Sequence, residues 1–118
     1  MAKFRFQDLT IWQLAIKIAN DLFDMADELE KKKLYRWAEQ LRAAGMSMSN
    51  NIAEGSGSSS NKEFRQFLNV ARRSTFENAN ISILLEMKKH ITQEKLDIIL
   101  DKLDHLCRQI TNFQETLG

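Results

Sequence analysis

The chain has no proline, only four glycines in 118 residues, and a single cysteine. Without proline, nothing in the sequence forces a break inside a long helical segment. With Cys107 as the only thiol, no internal disulfide and no thiolate metal cluster can form. Runs of Val, Ile, Thr or Tyr alternating with period two are scarce, so strands are not expected. No stretch reaches the ~18 apolar residues of a membrane span, and the opening MAKFRFQDL lacks the apolar run of a signal peptide. A one-sided charge is missing as well. Seventeen Lys and Arg against sixteen Asp and Glu leave a formal charge of +1, which gives no support for bulk attraction to nucleic acid or anionic lipid. Any such role must come from local clusters. The expectation is a soluble, cytoplasmic protein with no membrane partner.

What is abundant is Leu, Ala, Lys, Glu and Gln, the strong helix formers. The length suits one domain, residues 1–118. A first helix is expected from Thr10, where Thr10 and Gln13 have capping-box spacing, with Leu9, Trp12, Ile16, Ala19, Phe23 and Ala26 along one face. Ala15, Ile18, Leu22, Met25 and Leu29 widen that face. Lys31, Lys32 and Lys33 close it, because cations complement the C-terminal end of the helix dipole. A second helix carries Leu34, Trp37, Leu41, Ala44, Met48 and Ile52 inward and is expected to stop at Gly55 as a left-handed cap. GSGSSSN is the one low-complexity stretch and reads as a loop. Ser60 with Glu63 then starts a long third helix, running to about His90. Thr92 caps a fourth, whose Leu96, Ile99, Leu103, Leu106, Ile110, Phe113 and Leu117 step by three and four without a fault. Four helices with short connections predict an all-α, up-down-up-down antiparallel four-helix bundle.

The most informative segment is QLRAAGMSMSNNIAEG, residues 40–55. Gln40, Ser47, Asn51 and Glu54 fall at i, i+7, i+11 and i+14 and share one helical stripe. In the third helix, Ser74 and Asn78 continue the Phe67–Ala71 stripe, with Glu77 beside them. A buried polar group without a partner costs about 1–3 kcal/mol, so these residues are expected to satisfy one another across the two helices. Antiparallel pairing brings Gln40 and Arg42 toward Glu77 and Asn78. Glu54, beside a helix C-terminus, is expected to find Arg65 or the N–H groups opening the third helix, with an exposed, solvated carboxylate as the alternative.

These residues carry a family resemblance over nearly the whole chain. FQDLTIWQLA is similar to the opening motif of the four-helix bundle proteins encoded in intervening sequences of bacterial 23S rRNA genes, through Phe6, Asp8, Leu9, Trp12, Gln13 and Ala15. QLRAAGMSMSNNIAEG resembles that family's core motif through Gln40, Arg42, Ala44, Ser47, Asn51, Ile52, Ala53, Glu54 and Gly55. KEFRQFLNVARRSTFE matches the next motif through Lys62, Glu63, Phe64, Phe67, Leu68, Ala71, Ser74 and Glu77. Ala43 stands where the family has a second Arg, Arg73 where it has Gly, and the Pro before the second helix is missing. The resemblance implies a four-helix bundle that forms a homopentamer. The chain is also similar to the pentameric accessory protein of diversity-generating retroelements, which works with a reverse transcriptase and binds nucleic acid.

Three functional readings compete. The first is a non-catalytic binding or assembly module for RNA, DNA or a nucleoprotein. Its candidate contacts are two basic clusters, Arg65, Arg72 and Arg73 on the third helix and Lys31, Lys32, Lys33 and Arg36 between the first two. Charge runs on helices are more often solvated faces, but a ring of subunits would repeat each cluster and raise avidity. The second is an enzyme or metal site. Glu86 and His90, and Asp101 and His105, are spaced i, i+4, commoner for surface ion pairs than for a di-iron site. No nucleophile–base, P-loop or dinucleotide pattern is present, so neither catalysis nor any metal or cofactor is expected. The third is a purely structural homo-oligomer or protein adaptor, suggested by Phe4, Phe6, Ile11, Phe76 and Ile83, which one monomer could hardly bury together.

Overall fold

In the computed structural model, which describes residues 1–118, a 3-10 turn at Arg5–Asp8 leads into α1 (Thr10–Lys31), α2 (Tyr35–Ser56), α3 (Asn61–Met87) and α4 (Gln93–Thr116). The order is up-down-up-down, as the periodicity predicts. Each helix packs on the next, α4 closes more sparingly against α1, and diagonal pairs do not meet. Where α1 and α4 face one another, Lys102 Nζ reaches Asp21 Oδ2 at 2.6 Å. The bundle measures 44 × 30 × 19 Å.

Leu22, Leu29, Leu41, Met48, Ile52, Phe64, Leu68, Leu85, Ile99, Leu106 and Ile110 fill the core. Each such side chain gains about 1.5–3 kcal/mol from leaving water. On α1 the buried line is Ile11, Ala15, Ile18, Ala19, Leu22, Ala26 and Leu29, while Trp12, Ile16 and Phe23 are half-buried at its flanks. The stripe is therefore rotated from the expected one, and Ile11 belongs to the core. Small residues decide this. Ala15, Ala26, Ala38, Ala44 and Gly45 let α1 and α2 approach closely, and a Cβ on Gly45 would sit 3.3 Å from Leu22 Cδ1.

Helix ends follow their caps with two exceptions. Ser60 Oγ accepts from Glu63 N and Thr92 Oγ1 from Lys95 N, as the sequence predicts. Thr10 does not cap α1. Leu9 is the N-cap, and Gln13 instead donates from Nε2 to Gln7 O, tying α1 to the preceding turn. Gly55 is not a left-handed cap either. It lies inside α2, which runs on to Ser56, and a Cβ there would meet Phe67 Cβ at 2.7 Å and Phe64 Cδ1 at 2.8 Å. Its role is close packing of α2 on α3.

The two ends of the bundle differ. At one, the Gly/Ser loop lies with both chain termini. Arg5 sits over the Phe64 ring at 5.3 Å, and Arg65 Nη1 and Asn61 Nδ2 donate to Leu117 O at the foot of α4. At the other, the α1–α2 and α3–α4 turns carry lysines.

Candidate functional site

The α2–α3 contact holds most of the polar residues singled out in the sequence, in two layers. In the inner layer Ser47 Oγ and Ser74 Oγ lie 2.9 Å apart. Ser74 has one hydroxyl proton and its Oγ donates to Val70 O at 3.1 Å, so Ser47 is the donor between the two serines. Ser47 Oγ in turn accepts from Asn51 Nδ2 at 3.2 Å, and Asn51 also donates to Ser47 O at 2.8 Å. The result is one directed chain from Asn51 through Ser47 and Ser74 to Val70. A turn away, the fully buried Asn78 donates from Nδ2 to Ala44 O across the contact and to Ser74 O in its own helix, both at 2.8 Å. Sliding one helix past the other would break both cross-links, and each buried group left orphaned costs about 1–3 kcal/mol. Asn78 Oδ1 and Ser82 Oγ have no partner within reach.

The outer layer is different. Gln40, Glu54 and Glu77 are exposed, and none of them forms a hydrogen bond or ion pair within the chain. Gln40 and Glu77 line opposite banks of an open groove of about 550 Å³ between α2 and α3, floored by Ala44 and Ser47 and flanked by Trp37, Ile81 and Leu84. The antiparallel register thus brings these two to one groove, as expected, without a bond between them. Glu54 takes the solvated alternative, because Arg65 is drawn to Leu117 O.

Arg42 corrects the expectation that it faces Glu77 and Asn78. It lies on the α1 side of α2, where Nη2 reaches Asp27 Oδ1 at 2.7 Å and Glu30 Oε2 at 2.8 Å. The hydrogen bond to Asp27, then that to Glu30, raises the guanidinium pKa. Rotation of 100° per residue separates position 42 from 40 and 47.

Of the first basic cluster only Arg73 is free. Arg65 is committed to Leu117, and Arg72 donates from Nε to Thr111 Oγ1 at 3.1 Å while lying over the Phe76 ring. The three therefore do not form one outward patch. Lys31, Lys32, Lys33 and Arg36 are exposed at the lysine end, with Lys31 Nζ 3.0 Å from Glu28 Oε1. No group of three or more His, Cys, Asp or Glu side chains could hold a metal ion. Cys107 is half-buried beside Phe76, Ala79, Leu100 and Leu103 in a groove of about 220 Å³ between α3 and α4.

Sequence reasoning missed part of the apolar surface of α3. Phe76 (61% exposed) and Ile83 (40%) were expected outside the core, but Val70, Leu84 and Met87 are exposed on the same helix. Phe76, Ile83 and Met87 recur at i, i+7 and i+11, a helical period that signalled a second stripe.

An all-α bundle whose signature polar motif is divided between a buried register lock and an open groove defines the class of protein. Over residues 7–112 the chain matches the family described as 23S rRNA-intervening sequence protein, and it belongs to that family. It is similar to the crystal structure of a protein of unknown function from the S23 ribosomal protein family of Bacteroides thetaiotaomicron, with a TM-score of 0.84 and 20% identity over 89% of this chain and 98% of that one. At that identity the likeness shows the fold alone. No curated protein matches the chain. No helix is long and apolar enough to cross a membrane.

Proposed function

We propose that the protein is a non-catalytic assembly module that associates with copies of itself through the outer surface of α2 and α3 and works on nucleic acid or nucleoprotein in the cytoplasm. One observation carries the first half. Phe76, Ile83 and Met87 are large apolar side chains exposed in one stripe of α3, and Leu84 is exposed on the bank of an open groove edged by Gln40 and Glu77. Scattered exposed apolar residues are ordinary, but a stripe that repeats with the helical period is what an interface needs. The polar members of that surface supply hydrogen bonds that fix orientation, and the apolar ones supply the driving force. The family resemblance supports a ring of five. A cyclic assembly uses two different patches on each subunit, so α3 would meet a different surface of its neighbour.

The nucleic-acid half is supported by the family's description and by the unpaired cations at the lysine end. A purely structural homo-oligomer is the second reading, favoured by the near-zero net charge and by the engagement of Arg65 and Arg72 in holding α4. Purification under low salt, with light scattering and ultraviolet absorbance before and after nuclease treatment, separates the two. A multiple of the chain mass with nuclease-sensitive absorbance is expected. The same multiple without nucleic acid favours the structural reading, and a monomer at micromolar concentration overturns both.

A further inference from the structure

We propose that the bundle end where the α1–α2 and α3–α4 turns meet is a binding site for the phosphate backbone of a polynucleotide, built from Lys32, Lys33, Arg36, Lys88 and Lys89. The up-down topology brings the two turns to the same end, and Lys32 Nζ donates to His90 O at 3.3 Å, joining them. The turns are copies of each other. In the first, Lys33 N bonds Glu30 O and Leu34 N bonds Leu29 O, both at 2.9 Å. In the second, Lys89 N bonds Glu86 O and His90 N bonds Leu85 O, both at 2.8 Å.

Each turn places a lysine in the left-handed region, Lys33 at φ 64° and Lys89 at φ 61°. Glycine, or failing that asparagine, takes this position with less strain. A cation here is not needed for the helix dipole, because Lys32 and Lys88 already occupy the preceding C-cap positions. The lysines thus stand at the two positions where the backbone disfavours them.

Their charge is also uncommitted. Lys3, Lys31, Arg42, Lys102 and Arg108 each pair with a carboxylate, whereas Lys33, Arg36, Lys88 and Lys89 form no ion pair. Of the nearby acids, Asp27, Glu28 and Glu30 are taken up by Arg42 and Lys31, while Glu39, Glu86 and Glu94 lower the local charge without cancelling that of the five cations. Such a surface attracts phosphates by releasing their condensed counterions and does not read base sequence. This inference rests on the nucleic-acid half of the proposed function and not on self-association.

The test is fluorescence anisotropy of a labelled oligouridylate across a salt series, with the matching deoxyoligonucleotide, a duplex and phosphatidylserine vesicles as further arms. The first three arms distinguish RNA from DNA and single from double strands. The variant is Lys33→Gly/Lys89→Gly, with Lys33→Asn/Lys89→Asn as a second and Lys17→Ala, an exposed cation of α1 away from the turns, as the control. At low salt, affinity should fall by about tenfold or more in both double variants, and the log–log salt slope on a single strand should shrink by about 1.4, for two lost phosphates. Their melting temperatures should equal or exceed the parent's, and Lys17→Ala should bind as the parent does. Parent-like binding by the double variants overturns the site while leaving the nucleic-acid reading standing. No oligonucleotide binding by the parent removes both. Lower melting temperatures in both variants would mean that the lysines hold the turns, and a preference for vesicles would mean a different partner; either result overturns the proposal.

Discussion

The inner and outer layers of the α2–α3 contact come from the same two motifs, yet their chemistry is opposite. Inside, Asn51, Ser47, Ser74 and Asn78 use one another and four backbone carbonyls, and solvent is largely excluded. Outside, Gln40, Glu54 and Glu77 have the same hydrogen-bonding capacity and no partner in the chain. Folding explains the first set. It does not explain the second, which a self-sufficient monomer could replace at little cost. The difference assigns register to one half of the motif and leaves the other available to something beyond the bundle.

The sharpest way to break the contact is Gly55→Val. With Phe67 Cβ and Phe64 Cδ1 already within 2.8 Å of an added Cβ, overpacking should cost about 3 kcal/mol in urea denaturation. A cost under about 1 kcal/mol would mean that the helices part easily there. Next is Asn78→Ala, which removes both amide bonds and leaves a small void, for a loss of about 2 kcal/mol. Ser47→Ala and Ser74→Ala should each cost about 1 kcal/mol, with a double-mutant coupling of about 0.5 kcal/mol or more because they share one bond. Independent effects would dissolve the directed chain of hydroxyls.

The smallest expected effect lies outside the contact. A hydrogen bond from Lys31 holds the Glu28 carboxyl below its usual 4.5, and the same bond raises Lys31 above 10.5. Glu28 is depressed on folding, so its contribution is present above pH 4.5 and lost as pH falls through its folded value. Lys31 is raised, so its share is present below pH 10.5 and lost as pH climbs through its folded value. Both groups are solvent-exposed, and salt should screen the pair. Lys31→Ala should leave the melting temperature near the parent's at neutral pH, with any difference vanishing in acid; a large, salt-resistant drop would show that the turn depends on Lys31.

Helix number, order and most boundaries were legible because apolar residues recur at three and four with few interruptions. The Leu96–Ile110 seam of α4 is buried as spaced, and Ser60 and Thr92 cap as their hydroxyls suggest. Gly55 departs from its expected role because a glycine near a helix end looks the same whether it supplies a left-handed turn or room for a neighbour, and only the Phe64 ring and the Phe67 Cβ packed against it distinguish them. Arg42 was misplaced because a motif lists residues in sequence while a helix distributes them around an axis. Lys88 and Lys89 drew no notice because nothing local shows that their turn lies beside Lys32 and Lys33. That proximity comes from topology.

The most direct measurement is sedimentation velocity of the parent and of a Gln40→Ala/Glu54→Ala/Glu77→Ala variant, with unfolding followed at concentrations low enough to dissociate any assembly. The expected outcome is an assembled parent, a variant shifted to monomer, and equal stabilities within about 0.5 kcal/mol once both are dissociated, since exposed positions contribute little to folding. A variant that assembles as the parent does, or whose dissociated chain is markedly less stable, would contradict the division of the motif between folding and association.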